Sequence, residues 1–380
     1  MVLALVILAL LLTLAFFYLK CSMMQSFMTL WSAVLATIIA FSYYELIADL
    51  FISRGFGLDW ALFGCFTLIF IVVFASLRSI SEFLFPAAID LGDAIKLPTS
   101  LVCGLLTGVI ISGNLLVALG LFPKQGKVFY SRFDPDAPVV LSSPRTPALS
   151  TDGFVTGLYS QISSGSLSSD KSFAVFHADY LSQIHLNKLK TKIKKEESSD
   201  RFSRNKTKVK TPVLTICSRE ALILPGTKDP KPIRRQTVDD EEITIVRAGV
   251  YAKKIEDGGA NNASGKVEFF PAQIRMIVKK ANAAGQPMTG TATALYPIGF
   301  WKNGALIKSD LDKIISPDSE QIKDRVCWMD IAFQCPQDKK PVLLEFKQNA
   351  VVDLASYEVV KNTPEIERAL DNEGQKKESH

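Results

Sequence analysis

The stretch Leu101–Phe122, LVCGLLTGVIISGNLLVALGLF, decides how this chain is read. It contains no charged residue and, as a helix, is long enough to cross a hydrocarbon layer of about 30 Å. Yet it holds Gly104, Gly108, Gly113 and the amide of Asn114. Glycine weakens a helix by about 1 kcal/mol relative to alanine, and hydrocarbon solvates an amide poorly. A lone anchor gains nothing from such residues, whereas a packed bundle does. Gly104, Gly108 and Ser112 recur every fourth residue, and a stripe of small side chains lets a second helix backbone approach closely. Asn114 lies about 80° from that stripe. There it either lines a polar path or binding pocket, or donates a hydrogen bond to a neighbouring helix.

Three further windows match in length and apolarity, which places spans at about 2–19, 27–48, 60–81 and 101–122. Residues 1–122 are therefore expected to form an α-helical membrane domain of four transmembrane helices, with the lipid bilayer as its first partner. The first window lacks a basic start and its apolar run exceeds that of a signal peptide, so it reads as a retained helix. Trp31, Trp60 and the Tyr43/Tyr44 pair fall near span ends, where amphipathic aromatics favour the interface. Lys20, Arg78 and Lys96 would share one side against Arg54 on the other, which puts the C-terminal domain outside the cytoplasm; Lys124, Lys127 and Arg132 oppose that orientation but open a long domain. Glu45 with Asp49, and Arg78 with Glu82, are spaced i, i+4 near span ends. An ionisable group in a span is a candidate functional site, so Glu45, Arg78 and Asn114 form the candidate polar intramembrane set; near a span end such a group also reaches headgroups cheaply, and Arg78 then only sets topology.

Laid end to end, these windows resemble the colicin V production protein (CvpA-like) family of four-helix bacterial inner-membrane proteins. The resemblance covers about residues 1–125. It rests on FSYYELIADLFISRGFG at the exit of the second span, ASLRSISEFL at the end of the third, the polar turn DLGDAIKLP and the GLLTG start of the fourth. Gly92, Asp93 and Lys96 approximate the family's Gly-Asp-basic turn. The resemblance implies a multi-pass protein of the bacterial inner (cytoplasmic) membrane, tied to envelope processes such as bacteriocin (toxin) production or export, with no defined reaction.

Most of the 43 Lys and Arg lie beyond Phe122. Residues 123–210 read as a linker: a Pro- and Ser-rich arm, short helices from GFVTGLYSQISSGSLSS and from KSFAVFHADYLSQIHLNKLKTKIKKEE, and a basic run. In that run, Lys188, Lys190, Lys192, Lys194 and Lys195 are candidates for contact with anionic lipid headgroups, at about 1 kcal/mol each. The alternative is a solvated helix end passing into a disordered segment. Residues 211–355 contain strand-length runs rich in Val, Ile, Thr and aromatics, separated by Gly, Asn, Asp and Pro. Five to seven strands are expected, in a mostly β extramembrane domain of β-sandwich or open-barrel type. Along VCWMDIAFQC, Cys327, Met329, Ile331, Phe333 and Cys335 share the face assigned to the core. CWMDIAFQCPQDKKPVLLEF also looks like the paired last strands of some bacterial immunoglobulin-like domains. Residues 356–380 read as a charged tail, helical before it frays.

Cys327 and Cys335 lie too far apart along one strand to bridge, so any disulfide would need Cys217. No catalytic constellation, metal cluster, cofactor loop or nucleic-acid motif is evident. The favoured function is a non-enzymatic scaffold or assembly component, with a homo-oligomer or membrane-protein partner on the fourth helix and a protein or envelope polymer on the β-domain. A channel or transport component with Glu45, Asn114 and Arg78 on its path, and a membrane-anchored enzyme, are the alternatives.

Overall fold

The computed structural model describes residues 2–20, 22–54, 60–84, 93–123, 131–133, 137–147, 149–169, 172–188, 219–226, 231–251, 269–282, 286–288, 292–313, 315, 322–323 and 326–373. Cys21, Gly92, Cys217, Lys190, Lys192, Lys194 and Lys195 lie outside them. The chain divides into two units, described in turn. The first comprises Met1–Phe133, Leu141–Ala174 and Tyr180–His185; the second comprises Asp134–Val140, Val175–Asp179 and Leu186–His380.

The first unit is helical. It contains α1 (Val2–Lys20), α2 (Met23–Ser53), α3 (Ala61–Leu84), α4 (Asp93–Leu121), α5 (Thr151–Ser164) and the paired residues at Phe173 and Tyr180. Among the described residues, three helical segments are long and apolar enough to cross a membrane: Met23–Ile52, Ala61–Leu84 and Lys96–Leu121. The described part of α1, Leu3–Leu19, is apolar but shorter. α2 starts four residues before the expected span because Ser22 and Gln25 close a capping box: the Ser22 hydroxyl accepts from the Gln25 N–H and the Gln25 amide oxygen accepts from the Ser22 N–H.

Contacts fix the helix directions. Phe17 lies against Gly104, Thr13 and Leu10 against Gly108, and Val6 clusters with Leu116, so α1 and α4 are antiparallel. Ser26 bonds Ser100 and Asn114 bonds Thr37, so α2 and α4 are parallel. Phe122, just after α4, packs edge-to-face on Trp60 and Phe63 at the start of α3, so α3 runs opposite to α4. α4 is the most enclosed of the three long helices. Most side chains left open on α1 and α3, among them Leu8, Leu11, Leu12, Leu68, Ile71 and Val72, are apolar, with Ser76, Ser79 and Glu82 exposed towards the C-terminal end of α3.

The second helix expected between Phe173 and Ile193 is broken in two, α6 (Phe173–Phe176) and α7 (Tyr180–Leu186). The break at His177–Asp179 frees Asp179 for an ion pair within the second unit.

The second unit is mostly β, with twelve strands among the described residues rather than the five to seven expected; several have only two to four residues and hide within runs that read as one. They are β1 (Leu222–Ile223), β2 (Ile233–Val238), β3 (Glu241–Tyr251), β4 (Ile274–Lys280), β5 (Thr293–Leu295), β6 (Pro297–Lys302), β7 (Ala305–Lys308), β8 (Ile322–Lys323), β9 (Val326–Gln334), β10 (Lys339–Phe346), β11 (Ala350–Asp353) and β12 (Val359–Lys361), followed by α8 (Pro364–Glu373). One mixed sheet has the order β12-β2-β3-β9-β6-β7, with β1 on β3 and β8 on β9; a four-stranded antiparallel sheet has the order β11-β10-β4-β5. Among the described residues, only β12 pairs in parallel, on β2.

Both sheets feed one core. Val246, Ala248 and Val250 of β3 and Met329, Ile331 and Phe333 of β9 cluster with Ile274, Met276 and Val278 of β4 and Leu344 and Phe346 of β10. The core face expected for Cys327–Cys335 is the observed one. The expected pairing of β9 with β10 is not: β9 is flanked by β3 and β6, and the chain crosses at Cys335–Asp338 into the other sheet. The β10–β11 hairpin turns on Lys347 and Gln348, both with positive φ (49° and 65°), where β2–β3 uses Asp239 and Asp240 and β6–β7 uses Asn303 and Gly304.

Candidate functional site

The glycine seam of α4 is filled by α1 of the same chain. A methyl group on Gly104 would stand 3.1 Å from Phe17 Cβ, and one on Gly108 would stand 2.4 Å from Thr13 Oγ1. Ser112, one turn further, is fully buried and donates to the Val109 carbonyl. The stripe thus closes an intramolecular contact, so association through α4 would have to displace α1. Gly113 serves a second approach, since its methyl would meet the Thr151 carbonyl of α5 at 2.4 Å.

Asn114 is buried beside the seam. Its amide N–H groups donate to Thr37 Oγ1 of α2 and to the Ile110 carbonyl, each at 2.8 Å. It ties α4 to α2, as Ser26 does with Ser100 at 3.3 Å. Glu45 accepts the Tyr44 hydroxyl at 2.7 Å near the C-terminal end of α2. Arg78 pairs with Glu82 at 2.8 Å and lies over the Phe16 ring near the C-terminal end of α3. Because α2 and α3 are antiparallel, Glu45 and Arg78 sit at opposite ends of the bundle. Glu45, Arg78 and Asn114 are not brought together. Lys188 of the basic run is 5 % exposed and has a partner of its own, so its ammonium is not offered to headgroups.

The β unit holds a charge cluster that the sequence reading missed. Arg275 of β4 stands opposite Glu345 of β10 in register, and its guanidinium bonds the Glu345 carboxylate at 2.7 Å. The same guanidinium bonds Asp179 and the Phe176 carbonyl, and the Tyr296 hydroxyl donates to Asp179. Burial alone would lower the Arg275 pKa, but Glu345 and Asp179 outweigh it and hold the cation. Burial, then the Asp179 charge, keeps Tyr296 well above its ordinary value, so its hydroxyl stays protonated and donates to Asp179. An arginine alternating with Ile277 and Lys279 inside an apolar strand was the available signal.

On the other sheet, Asp330 of β9 accepts a hydrogen bond from Arg247 of β3 at 3.1 Å and is ion-paired with Arg234 of β2 at 2.6 Å. Arg234 also reaches Asn362, which with Trp301 donates to Glu367 of α8. α8 is thereby fastened to the sheet. Burial pushes the Cys327 thiol up to about 12 and raises Cys335 as well, so neither is a nucleophile near neutrality. Cys65, Cys103, Cys327 and Cys335 are free thiols. Among the described residues, no three His, Cys, Asp or Glu converge on a metal position. No family model, curated protein or solved structure matches the chain.

Proposed function

We propose that the chain is an integral membrane protein whose helical unit is an anchor and assembly platform for a β-sandwich domain, in the manner of a CvpA-like envelope component of the bacterial inner membrane. α1 is its fourth span. As a 19-residue helix it extends about 28 Å, close to the hydrocarbon thickness, and it runs antiparallel to α4 from the level of Gly104 to that of Leu116. The two sheets, which share a core cluster, form the sandwich, and its partner is a protein or envelope polymer. The domain stands outside the cytoplasm by the balance of Lys and Arg.

One observation carries the scaffold reading over the channel: Asn114, Glu45 and Arg78 are each taken up by a separate neighbour, two of them at opposite ends of the bundle. Ion flux through liposomes containing the full chain is the test. Flux no greater than that of empty liposomes is expected. Flux abolished by Glu45→Gln or Asn114→Leu would establish the channel instead.

A further inference from the structure

We infer that α5 is not part of an extramembrane linker but enters the bilayer at an incline, with one face against the bundle and the other against lipid acyl chains. This rests on the membrane reading of α2, α3 and α4.

The depth follows from two contacts at different points of α5. Its first residue, Thr151, meets α4 at Gly113, where its carbonyl approaches so closely that a methyl group would not fit. Two turns on, the Tyr159 hydroxyl is 2.7 Å from Ser42 Oγ of α2, and its ring stacks on Phe41 at 5.0 Å. Gly113 lies between four and five residues past the midpoint of the Lys96–Leu121 segment, about 7 Å at 1.5 Å per residue, against a hydrocarbon half-thickness of about 15 Å. α2 and α4 are parallel, and their Ser26–Ser100 and Asn114–Thr37 contacts put Ser42 three to six residues, about 5–9 Å, further towards the same side. α5 therefore starts inside the hydrocarbon at Thr151 and rises towards its boundary at Tyr159.

The chemistry of α5 suits that position. Thr151, Asp152, Val155, Thr156, Tyr159 and Ser163 face inward and are buried. The other face carries the exposed Phe154 and the half-buried Leu158 and Ile162 at i, i+4, i+8, with Gly157 and Gln161 exposed between them. Phe154 is 47 % exposed, as are lipid-facing residues of the spans such as Val72 at 52 %. The one carboxylate of α5 is shielded: Asp152 is fully buried, accepts the Gly153 N–H, and faces Arg132 Nη1 at 3.7 Å. An ionisable group at such depth is expected to face protein and to be paired.

Thiol reactivity tests this, because maleimides need a thiolate, which hydrocarbon suppresses. Phe154→Cys, Ile71→Cys and Lys302→Cys would be made in the full chain, placed in lipid nanodiscs and treated with a charged maleimide, with the unsubstituted chain as background. Position 154 should react at least tenfold more slowly than 302, as position 71 should, and all three should react alike in SDS. Fast reaction at 154 with protection at 71 would overturn the inference and leave the membrane reading intact. Fast reaction at 71 would overturn both. Leu158→Cys repeats the measurement on the same face should the first variant not assemble.

Discussion

Replacing Gly108 by alanine probes the α1–α4 contact at its tightest point. The added methyl would lie 2.4 Å from Thr13 Oγ1 and 2.9 Å from Leu10 Cδ2, far inside van der Waals contact. Overpacking of this kind costs about 1–3 kcal/mol, against a gain of about 1 kcal/mol in helix propensity. Gly64→Ala supplies the reference, since nothing lies within 4 Å of its added methyl and only the propensity gain remains. Unfolding of the full chain in mixed micelles by increasing SDS, followed by helical circular dichroism, should place Gly108→Ala about 1–3 kcal/mol below Gly64→Ala. Gly104→Ala, at 3.1 Å from a side chain, should cost less, and Gly113→Ala, at 2.4 Å from a backbone oxygen, should cost more. Thr13→Ala should recover most of the loss at Gly108, because the Thr13 hydroxyl bonds only its own helix, at the Ala9 and Leu10 carbonyls. Equal stability of Gly108→Ala and Gly64→Ala would refute the packing of α1 on α4.

Other outcomes follow from single contacts. Arg275→Met leaves Glu345 and Asp179 without their shared cation and should cost about 3–5 kcal/mol in denaturant unfolding of the β unit, whereas Glu345→Gln, which keeps Asp179 on Arg275, should cost less. Asn114→Leu removes the bond to Thr37 and should cost about 1 kcal/mol in the SDS titration without changing ion flux. The Cys327 pKa is raised by folding, so its contribution to stability is complete below about pH 9 and is lost as pH rises towards about 12; a Cys327→Ala chain should show a shallower alkaline loss of thermal stability.

What the sequence disclosed, and what it hid, has a physical pattern. The long apolar runs, the Gly104/Gly108/Ser112 stripe and the alternation from Cys327 to Cys335 are periodic signals within one element, and each corresponds to an observed helix or buried face. Pairings between distant residues left no such trace. Arg275 with Asp179 and Glu345, and Arg132 with Asp152, join positions 20 to 96 residues apart, and each residue alone looks like an ordinary surface charge. The sequence pattern places α5 in a linker because its inward face is polar, the reverse of a soluble helix. Likewise Ala332, assigned to the outward face of β9, is buried against Ile243, Ile245 and Trp301, and Trp301 in turn bonds α8 from what read as a fraying tail.

The number of spans is most directly measured by the sidedness of the two chain ends. Tags at Met1 and at His380 would be probed with protease in one preparation of sealed vesicles of uniform orientation. Four alternating spans place both tags on the same side, cleaved together or protected together. Cleavage of one tag with protection of the other would mean that α1 does not cross, and would contradict the four-helix bundle.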